Sequence, residues 1–134
     1  MIKILIESSK SRTGKHAFRA LFLVIDTKGR IVEPRIERVE PVKPRYVIGK
    51  ASKAYITLNP NEYGVQIELV KNLRNEVKGF ISVINSEGKL LLKVKYVREI
   101  IRRSLGDPKY GWIIERVLDY LKIPYKRINL RTGL

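Results

Sequence analysis

The 134-residue sequence has no cysteine and a single histidine, His16. It can build neither a disulfide framework nor a thiolate metal site, and one imidazole makes no cluster, so zinc coordination is excluded. Long apolar runs are also missing. Hydrophobic residues make up 44% of the chain, yet no run approaches the ~20 residues of a membrane helix. The opening Met1-Ile2-Lys3-Ile4 reads as the start of a strand rather than a signal peptide, and a cytoplasmic protein is expected.

Acidic residues are scarce: 13 against 28 lysines and arginines, a net charge of +15. Such an excess raises a positive potential of several kT over parts of a surface. Thermophile-like composition also carries many charges, but there both signs are balanced in ion-pair networks. Here they are not, and a polyanion is the expected partner. Nucleic acid comes before an anionic membrane, because no segment pairs a basic face with a broad exposed apolar one. Internal repeats, low-complexity tracts and linkers are absent, and the length suits one core, so 1–134 is read as a single domain.

Along the chain, 2–6 reads as a buried strand ending at Glu7-Ser8-Ser9, followed by a basic loop with Lys10, Arg12 and Lys15. An apolar strand over 18–25, a turn at Asp26-Thr27-Lys28-Gly29 and a second strand through Ile31, Val32, Ile36 and Val39 form a hairpin. Pro34 places that second strand at an edge. Residues 40–56 lack a period and read as a basic loop, ending at most in a short strand, with Tyr46 and Tyr55 among its cations. Asn59-Pro60-Asn61-Glu62 looks like a helix start, with Asn59 as cap and Tyr63, Ile67, Val70 and Leu73 at helical spacing, so a helix is expected over 60–73.

A strand follows over 77–84. Residues 90–101 allow two readings: Leu90, Leu92, Val94 and Tyr96 alternate like a strand, whereas Leu90, Val94, Val97 and Ile101 lie on one helical stripe. The helix is preferred because the stripe continues through Ile101. Asp107-Pro108 opens a further helix with an apolar face of Ile113, Ile114, Val117, Leu118 and Leu121; Pro124 stops it, and 125–130 can form a last strand.

Three segments carry a family resemblance. Ile2-Lys3-Ile4-Leu5-Ile6-Glu7-Ser8-Ser9 resembles the first strand of ribonuclease H domains, which ends in a metal-binding aspartate, with Glu7 at that place. Thr57-Leu58-Asn59-Pro60-Asn61-Glu62-Tyr63 resembles the family's Thr-Asn-Asn-x-x-Glu segment, with Glu62 as the second carboxylate. Ile84-Asn85-Ser86-Glu87-Gly88-Lys89-Leu90 resembles the step that holds the third, with Asn85 in its position. The resemblance implies an α/β ribonuclease H-like fold: a mixed sheet with an N-terminal antiparallel hairpin, later strands parallel to the first, and helices packed on it.

It also implies a degenerate catalytic set. Glu7 is one methylene longer than aspartate, where the family holds two metal ions ~3.5–4 Å apart. Asn85 lacks the charge that hard cations prefer. The reading is therefore a non-catalytic binding module with no cofactor. If activity survives, Glu7 and Glu62 would hold Mg²⁺ or Mn²⁺. Each residue also has a plain structural reading. Glu62 completes a cap, Glu7 pairs with a lysine or arginine, Asn85 closes a turn or caps a helix, and His16 sits on the surface rather than in a proton relay.

The candidate contacts to nucleic acid are Lys10, Arg12 and Lys15 in the first loop, Asn59, and a second cluster after 84: Lys89, Lys93, Lys95, Arg98, Arg102, Arg103 and Lys109. The resemblance places that cluster on a basic helical protrusion. Trp112 either stacks on a base or packs against the last helix. RNA or an RNA–DNA hybrid is favoured by the resemblance, as is a ribonucleoprotein or ribosome-associated role. The other readings are an active metal-dependent ribonuclease and a single-stranded DNA-binding protein on another scaffold.

Overall fold

The computed structural model describes residues 2–7, 17–42, 51–71, 74 and 76–133. Among these residues the architecture is two sheets, antiparallel but for one strand pair, and one α-helix, which corrects the expected α/β ribonuclease H-like fold. The strands are β1 (Ile2–Glu7), β2 (Ala17–Asp26), β3 (Ile31–Val32), β4 (Arg35–Val42), β5 (Ala51–Thr57), β6 (Glu62–Lys71), β7 (Val77–Ile84), β8 (Leu90–Val97), β9 (Ile100–Gly106) and β10 (Arg127–Gly133). One turn of 3-10 helix, Pro108–Tyr110, leads into the helix α1 (Gly111–Leu121). The small sheet has the order β1-β5-β4 and the large one β10-β9-β8-β7-β6-β2-β3.

β1, expected to pair parallel with later strands, instead pairs antiparallel with β5 in the small sheet. The one parallel pair among the described strands is β9 with β10, joined through α1.

The expected helix over 60–73 is β6, a central strand between β2 and β7. Val65, Ile67 and Leu69 alternate and are all buried, and the β-branched Val65, Ile67 and Val70 suit a pleated surface. The helix-start signal was local and is used differently. Glu62 N–H donates to the Asn59 carbonyl at 3.0 Å, and the Glu62 carboxylate accepts from Asn59 N–H at 2.7 Å. The carboxylate contact is the one a capped helix start would make, but the Glu62 N–H goes to the Asn59 backbone carbonyl, as in a β-turn, and together they close the turn from β5 into β6.

The preferred helix over 90–101 is the β8–β9 hairpin. Leu92, Val94 and Tyr96 are buried by alternation. Ile101 returns to the same face because the chain reverses at Arg98 and Glu99, with φ of +50° and +69°, and brings Ile101 opposite Tyr96. The reversal imitated a helical stripe. The loop expected over 40–56 includes the end of β4 and all of β5 but Thr57, with 43–50 outside the described residues.

The expected hairpin forms only in part: β2 pairs with β3 over Ile31 and Val32, at the edge of the large sheet, whereas Ile36 and Val39, expected in the same strand, lie beyond Pro34 in β4 of the small sheet. β7, β10 and α1 stand where the pattern placed them, with the Asp107 carboxylate accepting from Lys109 N–H at 3.0 Å ahead of α1.

Two cores result. One lies between α1, through Ile113, Ile114, Val117 and Leu118, and a single face of the large sheet. The other joins Phe22 and Val24 of β2 to Ala54 and Ile56 of the small sheet and to Leu58 just after β5. β2 is thus covered on both faces, which explains its unbroken apolar run. Among the described residues, α1 covers one face of the large sheet, and the small sheet covers only the β2 end of the other.

Candidate nucleic-acid interface

Successive side chains of a strand point to opposite faces, so register fixes the second face of the large sheet. On β7, Ile81 and Val83 belong to the α1 core, leaving Lys78, Phe80 and Ser82 on the far side. On β8, Leu92, Val94 and Tyr96 face α1, leaving Lys93, Lys95 and Val97 opposite. On β9, Ile101 faces α1 and Arg102 points away.

The pairing Glu68–Phe80–Lys95–Arg102 therefore crosses β6 to β9 as one row on the open face. Phe80 is 37% exposed, and the Lys93 ammonium lies 4.6 Å from its ring centre. Lys93 and Lys95, two residues apart on β8, are spaced ~6.8 Å along the strand.

β7, β8, β9 and β10 are adjacent, and together hold seven lysines and arginines and no acidic residue. Lys95 and Arg102 are direct cross-strand neighbours. Like charges so placed, with Cβ atoms ~4.5–5.5 Å apart, destabilise a sheet. Among the described residues, none of Lys78, Lys93, Lys95 and Arg102 has an ion-pair partner.

Alternation sorts the sequence-selected cluster. Lys93, Lys95 and Arg102 share the open face. Arg103 turns the other way and donates to the Gly106 carbonyl at 3.1 Å. Arg98 sits at the β8–β9 reversal and pairs with Glu76 at 3.0 Å. Lys109 lies beside Asp107 and Tyr110 at the entrance to α1. Lys89 occupies the β7–β8 turn, and no helical protrusion carries these residues. Trp112 packs edge-on against Tyr63, 6.4 Å between ring centres, on the α1 side. Lys10, Arg12, Lys15, His16 and Tyr46 lie outside the described residues, while Tyr55 lies under the Arg38 guanidinium at 4.2 Å. Lys78 and Phe80 were missed; the alternation of Lys78, Phe80 and Ser82 with Gly79, Ile81 and Val83 was the signal that marks them.

The carboxylate positions do not converge. Glu7 ends β1 opposite Ser52, five residues along β5 from Thr57 and so ~16 Å from the turn that bears Glu62. Glu62 is buried and pairs with the Arg35 guanidinium as well as with Asn59. The Asn85 side chain accepts from Glu87 and Lys89 N–H, each at 2.9 Å, closing the β7–β8 turn. Among the described residues, no three of His, Cys, Asp and Glu gather as a metal-ligand group.

Asp26 is the other buried acid. It holds the β2–β3 turn by accepting from Lys28 N–H and Arg30 N–H, each at 2.9 Å, and from the Arg30 guanidinium at 2.7 Å. The Arg30 backbone N–H is the largest cause holding its carboxyl below the usual range, against the opposing effect of burial.

On the α1 side, a cleft of about 700 Å³ opens between the end of α1 and the sheet, with Leu21, Ile67, Leu69 and Leu121 in its wall. Its rim cations Arg98 and Lys126 are paired with Glu76 and Glu99. The cleft thus lacks the run of unpaired cations that β7 to β9 carry on the open face. Among the described residues, no helix is long and apolar enough to cross a membrane.

No family model matches the chain, and no solved structure matches it. Among curated proteins it is similar to a putative sensor histidine kinase NtrY-like of Rickettsia typhi, 27% identical over 111 residues. That match covers 79% of this chain but only 18% of the kinase.

Proposed function

We propose that the protein binds nucleic acid on the open face of the large sheet, with Lys78, Lys93, Lys95 and Arg102 as phosphate contacts. The observation that carries the reading is the unneutralised pair Lys95 and Arg102 in direct register, next to Lys93. A polyanion relieves a repulsion that the fold alone has to bear. Binding by such a face is mainly electrostatic, so affinity falls steeply with salt.

The preference for an RNA–DNA hybrid rested on the ribonuclease H resemblance, and the antiparallel architecture withdraws that support. Exposed Phe80 among cations favours a strand whose bases are free to stack, hence single-stranded RNA or DNA. Binding without cleavage is the reading consistent with Glu62 and Asn85, whose side chains serve turns and an ion pair. The kinase similarity covers too little of that protein to carry its activity here.

The test titrates labelled single-stranded RNA, an RNA–DNA hybrid and duplex RNA in the presence of Mn²⁺, following binding and cleavage in the same samples. Salt-dependent binding without cleavage, tightest for the single strand, is expected. Absence of binding to all three, or cleavage abolished by Glu62→Gln, overturns the proposal.

A further inference from the structure

We infer that the open face selects guanine, with Phe80 as the surface on which the base stacks and Glu68 as the acceptor of its Watson–Crick edge; this rests on the nucleic-acid reading above. Glu68 stands on β6 opposite Phe80 of β7, in the row that continues through Lys95 and Arg102. On β6, Val65, Ile67 and Leu69 turn to α1, so alternation puts Glu68 on the open face with Phe80. Directly opposed residues of an antiparallel pair hold their Cβ atoms ~4.5–5.5 Å apart. A base on Phe80 therefore lies within reach of the Glu68 carboxylate.

A carboxylate on a phosphate-binding face repels the ligand unless the ligand gives it hydrogen-bond donors. Glu68 is half-buried, and among the described residues it has no ion-pair partner, although Lys78 is its diagonal neighbour on β7. Every charge on β7, β8 and β9 is positive. The row thus runs from a carboxylate on β6, through an aromatic ring on β7, to cations on β8 and β9. Lys95 and Arg102 draw the phosphates to their side, which leaves the far edge of a base stacked on Phe80 turned toward β6. Phe80 is 37% exposed, with the Lys93 ammonium 4.6 Å from its ring centre, and offers the stacking surface.

An ionised carboxylate accepts hydrogen bonds and donates none. Among the RNA bases, guanine alone places two N–H donors side by side, N1–H and the N2 amino group, which meet both carboxylate oxygens at once. Adenine and cytosine set an acceptor nitrogen beside their amino group, and uracil flanks N3–H with two carbonyls. Each of these turns a lone pair toward Glu68. A bidentate contact of this kind separates the right base from the wrong one by on the order of tenfold.

Fluorescence anisotropy with uridine heptamers carrying a central guanosine, inosine, adenosine or cytidine tests the inference. Wild type is expected to bind the guanosine heptamer about tenfold more tightly than the adenosine or cytidine ones. Inosine, which keeps N1–H and lacks the amino group, should fall between. Glu68→Gln is expected to lose the guanosine preference while binding the all-uridine heptamer more tightly, because a negative charge leaves the face; a purely structural glutamate would give weaker binding throughout. Phe80→Ala should weaken every heptamer and lose the preference as well. Equal wild-type affinity for heptamers that do bind, or a preference that survives either substitution, overturns this inference and leaves the nucleic-acid reading standing. Failure of every heptamer to bind overturns both.

Discussion

Replacing Glu62 by glutamine keeps the side chain's shape and removes its charge, which separates a structural carboxylate from a catalytic one. The Glu62 side chain is 5% exposed and accepts from Asn59 N–H at 2.7 Å and from the Arg35 guanidinium. Glutamine can still accept from Asn59, but a neutral acceptor in place of a charged one loses ~1 kcal/mol. Arg35 is 43% exposed, so water takes over much of what the ion pair provided, and that loss is held to ~1 kcal/mol or less. The total is a destabilisation of ~1–2 kcal/mol. For a domain of this size, this lowers Tm by about 4–8 °C. Thermal unfolding followed by circular dichroism measures it, alongside a nucleic-acid titration that should be unchanged. An unaltered Tm together with loss of a Mn²⁺-dependent cleavage would refute the reasoning and return Glu62 to a metal site.

A Cβ at Gly79 would lie 1.9 Å from the Glu68 carbonyl oxygen of the neighbouring strand. Gly79→Ala should therefore force β6 and β7 apart, cost ~1–3 kcal/mol and lower the urea midpoint. A midpoint equal to wild type contradicts the β6–β7 register. Because the Asp26 carboxyl is held below its ordinary value, its contribution is complete above the unfolded pKa of ~3.9 and fades as pH falls through the depressed folded value. Melting curves taken into acid should show this loss, and Asp26→Asn should flatten it. The Tyr96 phenol, raised first by burial and then by Glu99, donates to the Pro124 carbonyl. Tyr96→Phe should cost ~1 kcal/mol at neutral pH and remove a decline in wild-type stability as pH rises above ~10.

The sequence made the β2–β3 hairpin, β7 and α1 legible, because each carries period and boundary signals that agree. Asp26-Thr27-Lys28-Gly29 marks a turn, and Ile113 to Leu121 gives one apolar stripe. It misled at β6 because the Asn59-Pro60-Asn61-Glu62 signal is a local contact that serves a strand-to-strand turn as well as a helix start. It misled again at β8 and β9, because the reversal at Arg98 and Glu99 has neither glycine nor asparagine to announce positive φ. The reversal is instead held from outside, by Arg98 with Glu76 and Lys126 with Glu99.

The same error shaped the expected site. Read as a helix, the cations after position 84 form one dense cluster; read as strands, alternation keeps Lys93, Lys95 and Arg102 together and sends Arg103 to the other face. Lys78 and Phe80 then join from β7, a strand whose register with β8 no sequence pattern states.

The measurement closest to the central claim compares wild type with Lys93→Ala/Lys95→Ala/Arg102→Ala for affinity to single-stranded RNA across a salt series. Each lost phosphate contact should reduce the slope of log K against log salt by ~0.7, about 2 in total, with weaker binding and little change in Tm. An affinity and a slope equal to those of wild type would contradict the assignment of the open face.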